Sequence, residues 1–186
     1  MGDRTHRLKS IVAALLLTVG FSIPALADEA RLDDLFAQLR DADAQAAALI
    51  EAEIRSEWSR SGSAAVDLLL RRAGDALEAG EYGAAIEHYT AAIDYAPEFA
   101  EAYNGRATAY YLTDRIGPAI DDLRQTLVLN PRHFEAMRGF AILLDELGRR
   151  ADSLEVFRQV QAIHPSDPDV AAAVDRLELL LEGQTL

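Results

Sequence analysis

The side chains that most often carry catalysis are few and widely spaced in this sequence. His88, His133 and His164 have no metal-ligand spacing to one another, and the last two stand close to prolines at predicted helix ends. We therefore assign these histidines structural roles rather than proton transfer or metal binding. The chain has no cysteine, which excludes a thiol nucleophile, a thiolate zinc cluster and disulfide bonds.

Neighbouring acids can supply general acid–base chemistry, but here they are badly placed for it. Asp33 and Asp34, like Asp121 and Asp122, are adjacent in sequence, so they diverge around a helix and are predicted to be solvated. The sequence has no Gly-x-Ser-x-Gly motif, no P-loop, no dinucleotide fingerprint and no His-Glu-x-x-His motif. We predict that the protein is not an enzyme and that it uses no cofactor and no metal.

The composition narrows the classes of function further. The 186 residues include 31 acids and 18 bases, which gives a formal net charge of −13. A protein that binds nucleic acid needs a basic surface to displace counterions from phosphates, so we predict no nucleic-acid partner. Of the residues, 50% are hydrophobic and 26% are charged, a balance typical of a folded chain with one domain or two small ones.

The N-terminus has the three parts of an export signal. A basic start is followed by an apolar run at residues 11–23 and by small residues at Ala25 and Ala27. The run is shorter than the roughly 20 residues that a membrane-spanning helix needs. We predict a signal peptide at residues 1–27 that is cleaved after Ala27, leaving a periplasmic chain with no stable membrane span. The alternative is an uncleaved N-terminal anchor.

Beyond this segment the sequence repeats itself. Pro97, Pro131 and Pro165 are spaced by 34 residues each time. Other positions match at the same period. Two sets are small residues, Ala73, Ala107 and Ala141 and then Ala85, Ala119 and Ser153; one set forms turns, Gly80, Asp114 and Gly148; and one set is large and apolar, Tyr89, Leu123 and Phe157. A fixed period of this length is typical of repeat proteins.

Each unit predicts a pair of antiparallel helices. The first helices are predicted at residues 66–79, 100–112 and 134–147, and the second at residues 82–95, 116–129 and 150–163. The small residues allow two backbones to approach, the large ones fill the adjoining groove, and the prolines end each unit. A final helix at residues 168–182 has one apolar stripe, formed by Val170, Val174, Leu177 and Leu181.

This 34-residue helix–turn–helix pattern resembles the tetratricopeptide repeat (TPR) family, in an exported bacterial form. The resemblance implies an all-α fold, a right-handed TPR superhelix (an α-solenoid). Its predicted parts are an N-terminal helical extension at residues 28–63, three repeats at residues 66–99, 100–133 and 134–167 within residues 64–167, and a C-terminal capping helix and tail at residues 168–186. Arg72 and Arg106 depart from the apolar residue that is usual in the family.

Residues 28–63 do not fit the repeat. Their apolar spacing predicts two helices with a break near residues 41–44, and Ser63 or Asp67 is a candidate cap for the helix that follows. We predict that the two helices pack on the open face of the first repeat. The single tryptophan, Trp58, either plugs that end of the solenoid or anchors a partner.

In TPR proteins the first helix of each repeat lines the concave side of the solenoid. By resemblance, the inward positions of the first repeat are Asp67, Leu70, Gly74 and Leu77. In the second and third repeats they are the candidate partner-binding residues Glu101, Asn104, Thr108, Tyr111, Glu135, Arg138, Ile142 and Asp145. An amide, an aromatic ring and a guanidinium suit an extended peptide or a partner helix.

Three of these positions are acidic and equivalent. Asp67, Glu101 and Glu135 fall in the first turn of their helices, where a carboxylate complements the helix dipole by about 0.3–1 kcal/mol. The alternative is an acidic recognition ladder. One TPR binding mode clamps a C-terminal carboxylate with Lys, Asn and Arg residues. That clamp is absent, because the matching positions hold Leu70, Gly74, Gly105, Glu135 and Gly139.

The repeat and the export signal together predict a non-catalytic protein–protein interaction scaffold of the bacterial periplasm. Its partner would be a protein or peptide of unknown identity. A groove with several acids and Arg138 as its base should prefer neutral or basic segments. The alternative is a self-associating structural component of a cell-envelope complex, with the N-terminal helices or residues 177–181 pairing between copies.

Overall fold

The computed structural model describes the backbone of residues 23–183 and the side chains of residues 29–183. Over this part of the chain the structure consists of α-helices joined by short turns, with no strand, which confirms the predicted all-α fold. Most of the predicted signal peptide lies outside the described residues, so its cleavage after Ala27 stays a prediction. None of the described helices is both long enough and apolar enough to cross a membrane.

Two helices precede three helix pairs, and a single helix ends the described chain. Their bounds are α1 (Ile23–Asp41), α2 (Ala44–Trp58), α3 (Ala64–Glu78), α4 (Tyr82–Tyr95), α5 (Ala100–Leu112), α6 (Ile116–Leu129), α7 (Phe134–Glu146), α8 (Arg150–Ile163) and α9 (Pro168–Glu182). Helices α4, α5, α6, α8 and α9 have the bounds predicted from sequence. Asp43 caps α2 by accepting hydrogen bonds from the backbone N–H groups of Gln45 and Ala46.

The turn inside each helix pair depends on one residue in the left-handed conformation. These residues are Gly80 with a φ of 75°, Asp114 with a φ of 59° and Gly148 with a φ of 76°. Glycine has no Cβ atom to clash in this region, and aspartate is one of the few other residues that tolerate it. The 34-residue period therefore repeats a backbone geometry as well as a composition.

The packing within the helix pairs follows the repeated small and large residues. On the second helix of each pair, the repeated small residue and the repeated large residue are both buried: Ala85, Ala119, Ser153, Tyr89, Leu123 and Phe157. Ser153 replaces alanine without leaving an unsatisfied hydroxyl, because its Oγ donates a hydrogen bond to the carbonyl oxygen of Ala141 at 2.7 Å.

The predicted position of the N-terminal helices is wrong, because α1 and α2 pack against the third helix pair and not the first. The Trp58 ring stacks on the His133 ring with centroids 4.3 Å apart, and it lies 5.2 Å from the Phe134 ring. The Phe36 ring meets Phe134 edge-on at 6.5 Å. Trp58 is 9% exposed, so it fills the chain's own core at this site.

Two ion pairs and a carboxylate–histidine contact fasten the same two helices, which we call the N-terminal hairpin. The links join Asp33 Oδ1 to Arg132 Nη1 at 2.6 Å, Glu135 Oε1 to Arg55 Nη1 at 3.3 Å, and Glu51 Oε1 to His164 Nδ1 at 3.4 Å. The guanidinium of Arg132 also lies over the ring of Phe36, 4.5 Å from its centroid, in a cation–π contact. The hairpin is thus held by both apolar and charged contacts.

The sequence of α3 explains why the hairpin does not cover the first helix pair. Arg71 and Asp75 are exposed and stand where α5, 34 residues later, has Gly105 and the fully buried Ala109. A face with an arginine and an aspartate offers little apolar surface to a hairpin that needs to bury aromatic rings. The third helix pair instead offers the ring of Phe134, which is 1% exposed.

A second correction concerns Asp122, which is predicted to be solvated and is in fact buried. It is 6% exposed and forms an ion pair with Arg106, whose Nε lies 2.7 Å from Asp122 Oδ2. Its neighbour Asp121 is exposed, as predicted. The pair explains how an arginine stands at a position that is usually apolar in the family, because its charge has a partner inside the helix pair.

Candidate functional site

Two adjoining pockets lie along the first helices of the helix pairs. The α5–α7 pocket has a volume of about 170 Å³ and is lined by Asn104, Ala107, Thr108, Tyr111, Leu123, Glu135, Gly139, Ile142 and Leu143. The α3–α5 pocket has a volume of about 490 Å³ and is lined by Ser59, Asp67, Leu70, Arg71, Leu77, Tyr89, Glu101, Asn104, Gly105 and Thr108. Asn104 and Thr108 line both pockets, so the two form one continuous groove.

The α5–α7 pocket is mainly apolar. Its floor is Leu123, which lies below Gly139, so that a Cβ atom on the glycine would stand 3.6 Å from Leu123 Cδ2. The buried Leu143 forms one wall. The rim keeps two large side chains exposed, Tyr111 at 40% and Ile142 at 41%. A buried floor with an exposed aromatic and aliphatic rim suits the apolar side chain of a partner.

Tyr111 is fixed at this rim by a hydrogen bond between helices. Its Oη, on α5, donates to Glu146 Oε1, on α7, at 2.8 Å. The bond to the carboxylate raises the pKa of Tyr111 above its ordinary value. The hydroxyl therefore remains a donor at neutral pH, and the ring has a defined position before any partner arrives.

Tyr89 lines the groove, although its place in the repeat predicts only packing between helices. It lies beneath Gly105, with its hydroxyl oxygen 2.6 Å from the point where a Cβ atom on that glycine would stand. It is 7% exposed and yet lines the α3–α5 pocket. Burial and the charge of Glu101 raise the pKa of Tyr89. Gly105 was the available signal in the sequence, because it leaves room for this ring.

The structure brings most of the candidate residues together. The α5–α7 pocket contains Asn104, Thr108, Tyr111, Glu135 and Ile142, and the α3–α5 pocket contains Glu101, Asp67, Leu70 and Leu77. Gly74 lines neither pocket. The groove is therefore formed by the inward positions that the family resemblance implies.

Arg138 and Asp145 are candidates that line neither pocket, and both have partners on or near α9. Arg138 Nη1 donates to Oδ2 of Asp167, the N-cap residue of α9, at 2.9 Å. Asp145 Oδ2 accepts a hydrogen bond from Arg176 at 2.7 Å. These contacts hold α9 against the third helix pair, a role that the sequence did not reveal because the partners come from the next unit.

Glu101, which lines the α3–α5 pocket, is paired with His133 by a hydrogen bond. His133 Nδ1 accepts a hydrogen bond from the backbone N–H of Ala136 at 3.2 Å, which leaves the ring proton on Nε2. That Nε2 donates to Glu101 Oε1 at 2.7 Å. The hydrogen bond fixes the Glu101 carboxylate at the edge of the α3–α5 pocket.

The three equivalent acids lie in the first turns of α3, α5 and α7, as predicted. Each has a partner as well as the helix dipole. The side chain and backbone N–H of Ser61 donate to Asp67 and lower the pKa of Asp67. Burial raises the pKa of Glu135, and the charge of Arg55 opposes that rise.

The histidines have structural positions. His133 is the N-cap residue of α7 and His164 the C-cap residue of α8, and both are buried. Within residues 29–183 no three His, Asp or Glu side chains are grouped closely enough to hold a metal ion. The groove itself places apolar, amide and carboxylate groups side by side.

Comparison with known proteins identifies the family. Models described as a TPR repeat and a tetratricopeptide repeat match residues 76–114 and 114–168. A TPR repeat-containing protein of Rhizobium etli is 36% identical over 154 residues, which cover 82% of this chain and 76% of that protein. The chain belongs to the TPR repeat family.

Other similar proteins share part of the length or only the fold. The protein SGT1 homolog of Bos taurus is 30% identical over 120 residues, which cover 64% of this chain but 36% of that protein. The first TPR of Spaghetti (RPAP3), bound to an HSP90 peptide, has a TM-score of 0.61 at 19% identity and covers 63% of this chain and 94% of its own. The Yersinia enterocolitica type III secretion chaperone SycD, in complex with a peptide of the translocator YopD, has a TM-score of 0.59 at 15% identity. The match covers 63% of this chain and 95% of the SycD chain.

Proposed function

We propose that this chain is a non-catalytic protein-interaction scaffold of the bacterial periplasm, built on three TPR repeats, that binds a peptide segment or a partner helix in its concave groove. The observation that carries the proposal is the α5–α7 pocket, where Tyr111 and Ile142 stay exposed above a buried leucine floor. Apolar side chains that a monomer leaves exposed around a concavity mark binding surfaces.

Three further observations bear on the proposal. The solved TPR structures with RPAP3 and SycD contain bound peptides, and this chain has the same fold. The positions of the carboxylate clamp hold no Lys, Asn or Arg here, so we expect a ligand other than the C-terminal carboxylate of a chaperone. The basic, apolar and small residues of the N-terminal segment support export to the periplasm.

Photo-crosslinking in living cells tests the groove. A photoreactive amino acid replaces Ile142, at the rim of the pocket, and in a control replaces Val128, an equally apolar residue on α6 that is 73% exposed. Amine-reactive crosslinkers would serve poorly, because the chain has no lysine beyond Lys9. We expect position 142 to give one dominant adduct with a different protein, and we expect position 128 not to give that adduct. Adducts from position 128 alone would move the binding surface out of the groove.

Export has its own test. Mass spectrometry of the chain isolated from a periplasmic fraction should give Asp28 as the first residue. A chain that retains residues 1–27 and sediments with membranes would support the uncleaved anchor instead.

Self-association is the second candidate, and one observation favours it. Leu179 is 72% exposed and its neighbour Leu180 is 38% exposed on α9, the last described helix. Leu177, in contrast, is fully buried in the chain's own core and has no surface to offer a second copy. Light scattering at high micromolar concentration separates the two proposals, since a strict monomer excludes this one. A dimer that Leu179→Glu dissociates would support it.

A further inference from the structure

Two glycines in equivalent positions shape the floor of the groove. Gly105 on α5 and Gly139 on α7 are separated by one repeat period, as are Tyr89 and Leu123, the residues that lie beneath them. At each place the missing Cβ atom uncovers a side chain from a second helix. The groove therefore has two floors of different chemistry, a phenol in the α3–α5 pocket and an isobutyl group in the α5–α7 pocket.

The phenol end of the groove is built to receive a hydrogen-bonding group. Tyr89 is more than nine-tenths buried, and its Oη has no hydrogen-bond partner among residues 29–183. Tyr89 Oη is not among the fully buried, unsatisfied polar atoms of the described chain, so the hydroxyl is the part of this side chain that reaches the pocket and is open to a hydrogen-bonding group of a ligand. The carboxylates of Asp67 and Glu101 line the same pocket, with Arg71 as its only cationic lining residue.

The charges at this end select the kind of ligand group. The carboxylate of Glu101 accepts a hydrogen bond from His133 Nε2 at 2.7 Å, and the hydrogen bonds from Ser61 hold the pKa of Asp67 below its ordinary value. Two carboxylates against one arginine leave an excess of negative charge. An ammonium or guanidinium group would donate to these carboxylates and to the Tyr89 oxygen, and it would complement a chain with a net charge of −13.

The other end selects an apolar group of moderate size. The α5–α7 pocket is about 170 Å³, and its walls include Leu143, Tyr111 and Ile142 around the Leu123 floor. Packed helices lie about 8–10 Å apart, and an extended chain advances about 3.3 Å per residue. Side chains that enter neighbouring pockets are therefore about two or three residues apart in a bound extended segment.

We propose that the groove binds an extended peptide segment with a lysine or arginine against Tyr89, Asp67 and Glu101 and an aliphatic residue over Leu123, two or three residues away. This inference rests on the proposed function, since it names the chemistry of the ligand in the same groove. Asn104, which lines both pockets, lies where its amide can pair with the backbone of the peptide between the two side chains.

Selection from a display library of random 12-residue peptides against the full chain tests this proposal. We expect enriched peptides to share a basic residue two or three positions from Leu, Ile or Met. Synthetic peptides from that pool are then measured against four variants. Tyr89→Phe removes only the hydroxyl, and Glu101→Gln removes a charge while its amide oxygen still accepts the His133 hydrogen bond. Gly139→Val fills the space above Leu123, and Asp121→Asn neutralises an exposed control residue on α6.

The expected pattern distinguishes the two pockets. Tyr89→Phe and Glu101→Gln should each weaken a lysine-containing peptide about tenfold, as expected for hydrogen bonds to a charged group. The same two substitutions should hardly change the affinity of a peptide in which glutamine replaces the lysine. That difference would show that the lysine of the peptide interacts with Tyr89 and Glu101. Gly139→Val should lower the affinity of peptides with leucine at the aliphatic position but not that of peptides with alanine there. Asp121→Asn should leave the affinity of both kinds of peptide unchanged.

The remaining outcomes separate this inference from the proposed function. Peptides that lack the basic and aliphatic pair, but compete with crosslinking at position 142, would overturn the inference and leave a peptide-binding groove. Some enriched peptides could contain the basic and aliphatic residues and still bind all three groove variants with unchanged affinity. Such peptides would bind outside the groove, and this result would also overturn the inference. A failure to enrich any peptide, together with no foreign adduct from position 142, would overturn both.

Discussion

Arg106 and Asp122 form a two-point ion pair between α5 and α6, with Nε 2.7 Å from Oδ2 and Nη2 2.8 Å from Oδ1. The third guanidinium nitrogen, Nη1, donates to Thr90 Oγ1 on α4 at 3.1 Å. The arginine therefore joins three helices from two successive units. The hydrogen bond to Asp122 raises the pKa of Arg106 above its already high value, so the group stays charged at any working pH.

Removing the carboxylate of Asp122 should lower the stability of the folded chain. Asp122→Ala leaves the guanidinium without its partner in a largely buried site, and we expect a loss of about 3–5 kcal/mol in the free energy of unfolding. Asp121→Ala is the matched control, since that neighbour is exposed and should change stability by less than about 0.5 kcal/mol. Urea denaturation followed by circular dichroism measures both. Equal effects of the two substitutions would contradict the structural role of the pair.

The two groove glycines should respond differently to the same substitution. Gly105→Ala would place its Cβ atom closer than van der Waals contact to Cζ of the Tyr89 ring, so the ring must move, and we expect a loss of about 1–3 kcal/mol from the forced repacking. Gly139→Ala meets Leu123 at an ordinary contact distance and should stabilise α7 by up to about 1 kcal/mol through its higher helix propensity. Thermal denaturation of the pair is the measurement. If Gly105→Ala were as stable as Gly139→Ala, the position of Tyr89 beneath α5 would be wrong.

The single tryptophan reports the docking of the N-terminal hairpin. Phe134→Ala removes the ring that Trp58 and Phe36 pack against, and we expect a loss of about 3–5 kcal/mol. The fluorescence maximum of Trp58 should shift to longer wavelength as the indole meets water. Tyr95→Ala, at a residue that is 76% exposed, is the control and should leave the spectrum unchanged. An unshifted spectrum in Phe134→Ala would argue against docking on the third helix pair.

The loop before α3 should weaken in acid because of Asp67. Hydrogen bonds from Ser61 make the pKa of Asp67 lower in the folded chain than the ordinary value of 3.8. As the pH falls, the unfolded chain therefore takes up this proton first, and the stability from Asp67 is present at neutral pH and lost as the pH falls through its folded pKa.

We expect Asp67→Asn to destabilise the chain at neutral pH and to approach the stability of the original chain as the pH falls to about 2. Ser61→Ala removes the donor side chain and should reduce the same pH dependence. Urea unfolding at several pH values measures the effect. A stability difference that stays constant over this range would show that the carboxylate is not responsible.

Much of the architecture was predictable because its signals are local. A proline, a left-handed turn residue and a small residue at fixed offsets set the bounds of α4, α6 and α8, and each signal acts within its own unit. The prediction for Asp122 failed because its burial depends on Arg106, a residue 16 positions away on another helix. Spacing to a neighbouring aspartate gives no information on that contact.

The candidate groove was predictable to a similar depth. Inward positions on the first helices, such as Asn104 and Tyr111, followed from the repeat. Tyr89 did not, because it reaches the groove from a second helix through the space that Gly105 leaves open. The position of the hairpin was also missed, although the exposed polar residues Arg71 and Asp75 make α3 a poor docking face for apolar side chains.

The contact between Asp33 and Arg132 joins residues 99 positions apart, and the other contacts of the N-terminal hairpin with the third helix pair are similarly long-range, whereas the repeats themselves pack on their neighbours in sequence. An array with only neighbour contacts can nucleate anywhere and lose its terminal units one at a time. A hairpin seated on the third unit removes that freedom, since the chain made first has no docking site until the C-terminal units exist. Such a loop raises the contact order, slows the last step of folding and makes the two ends of the molecule unfold together.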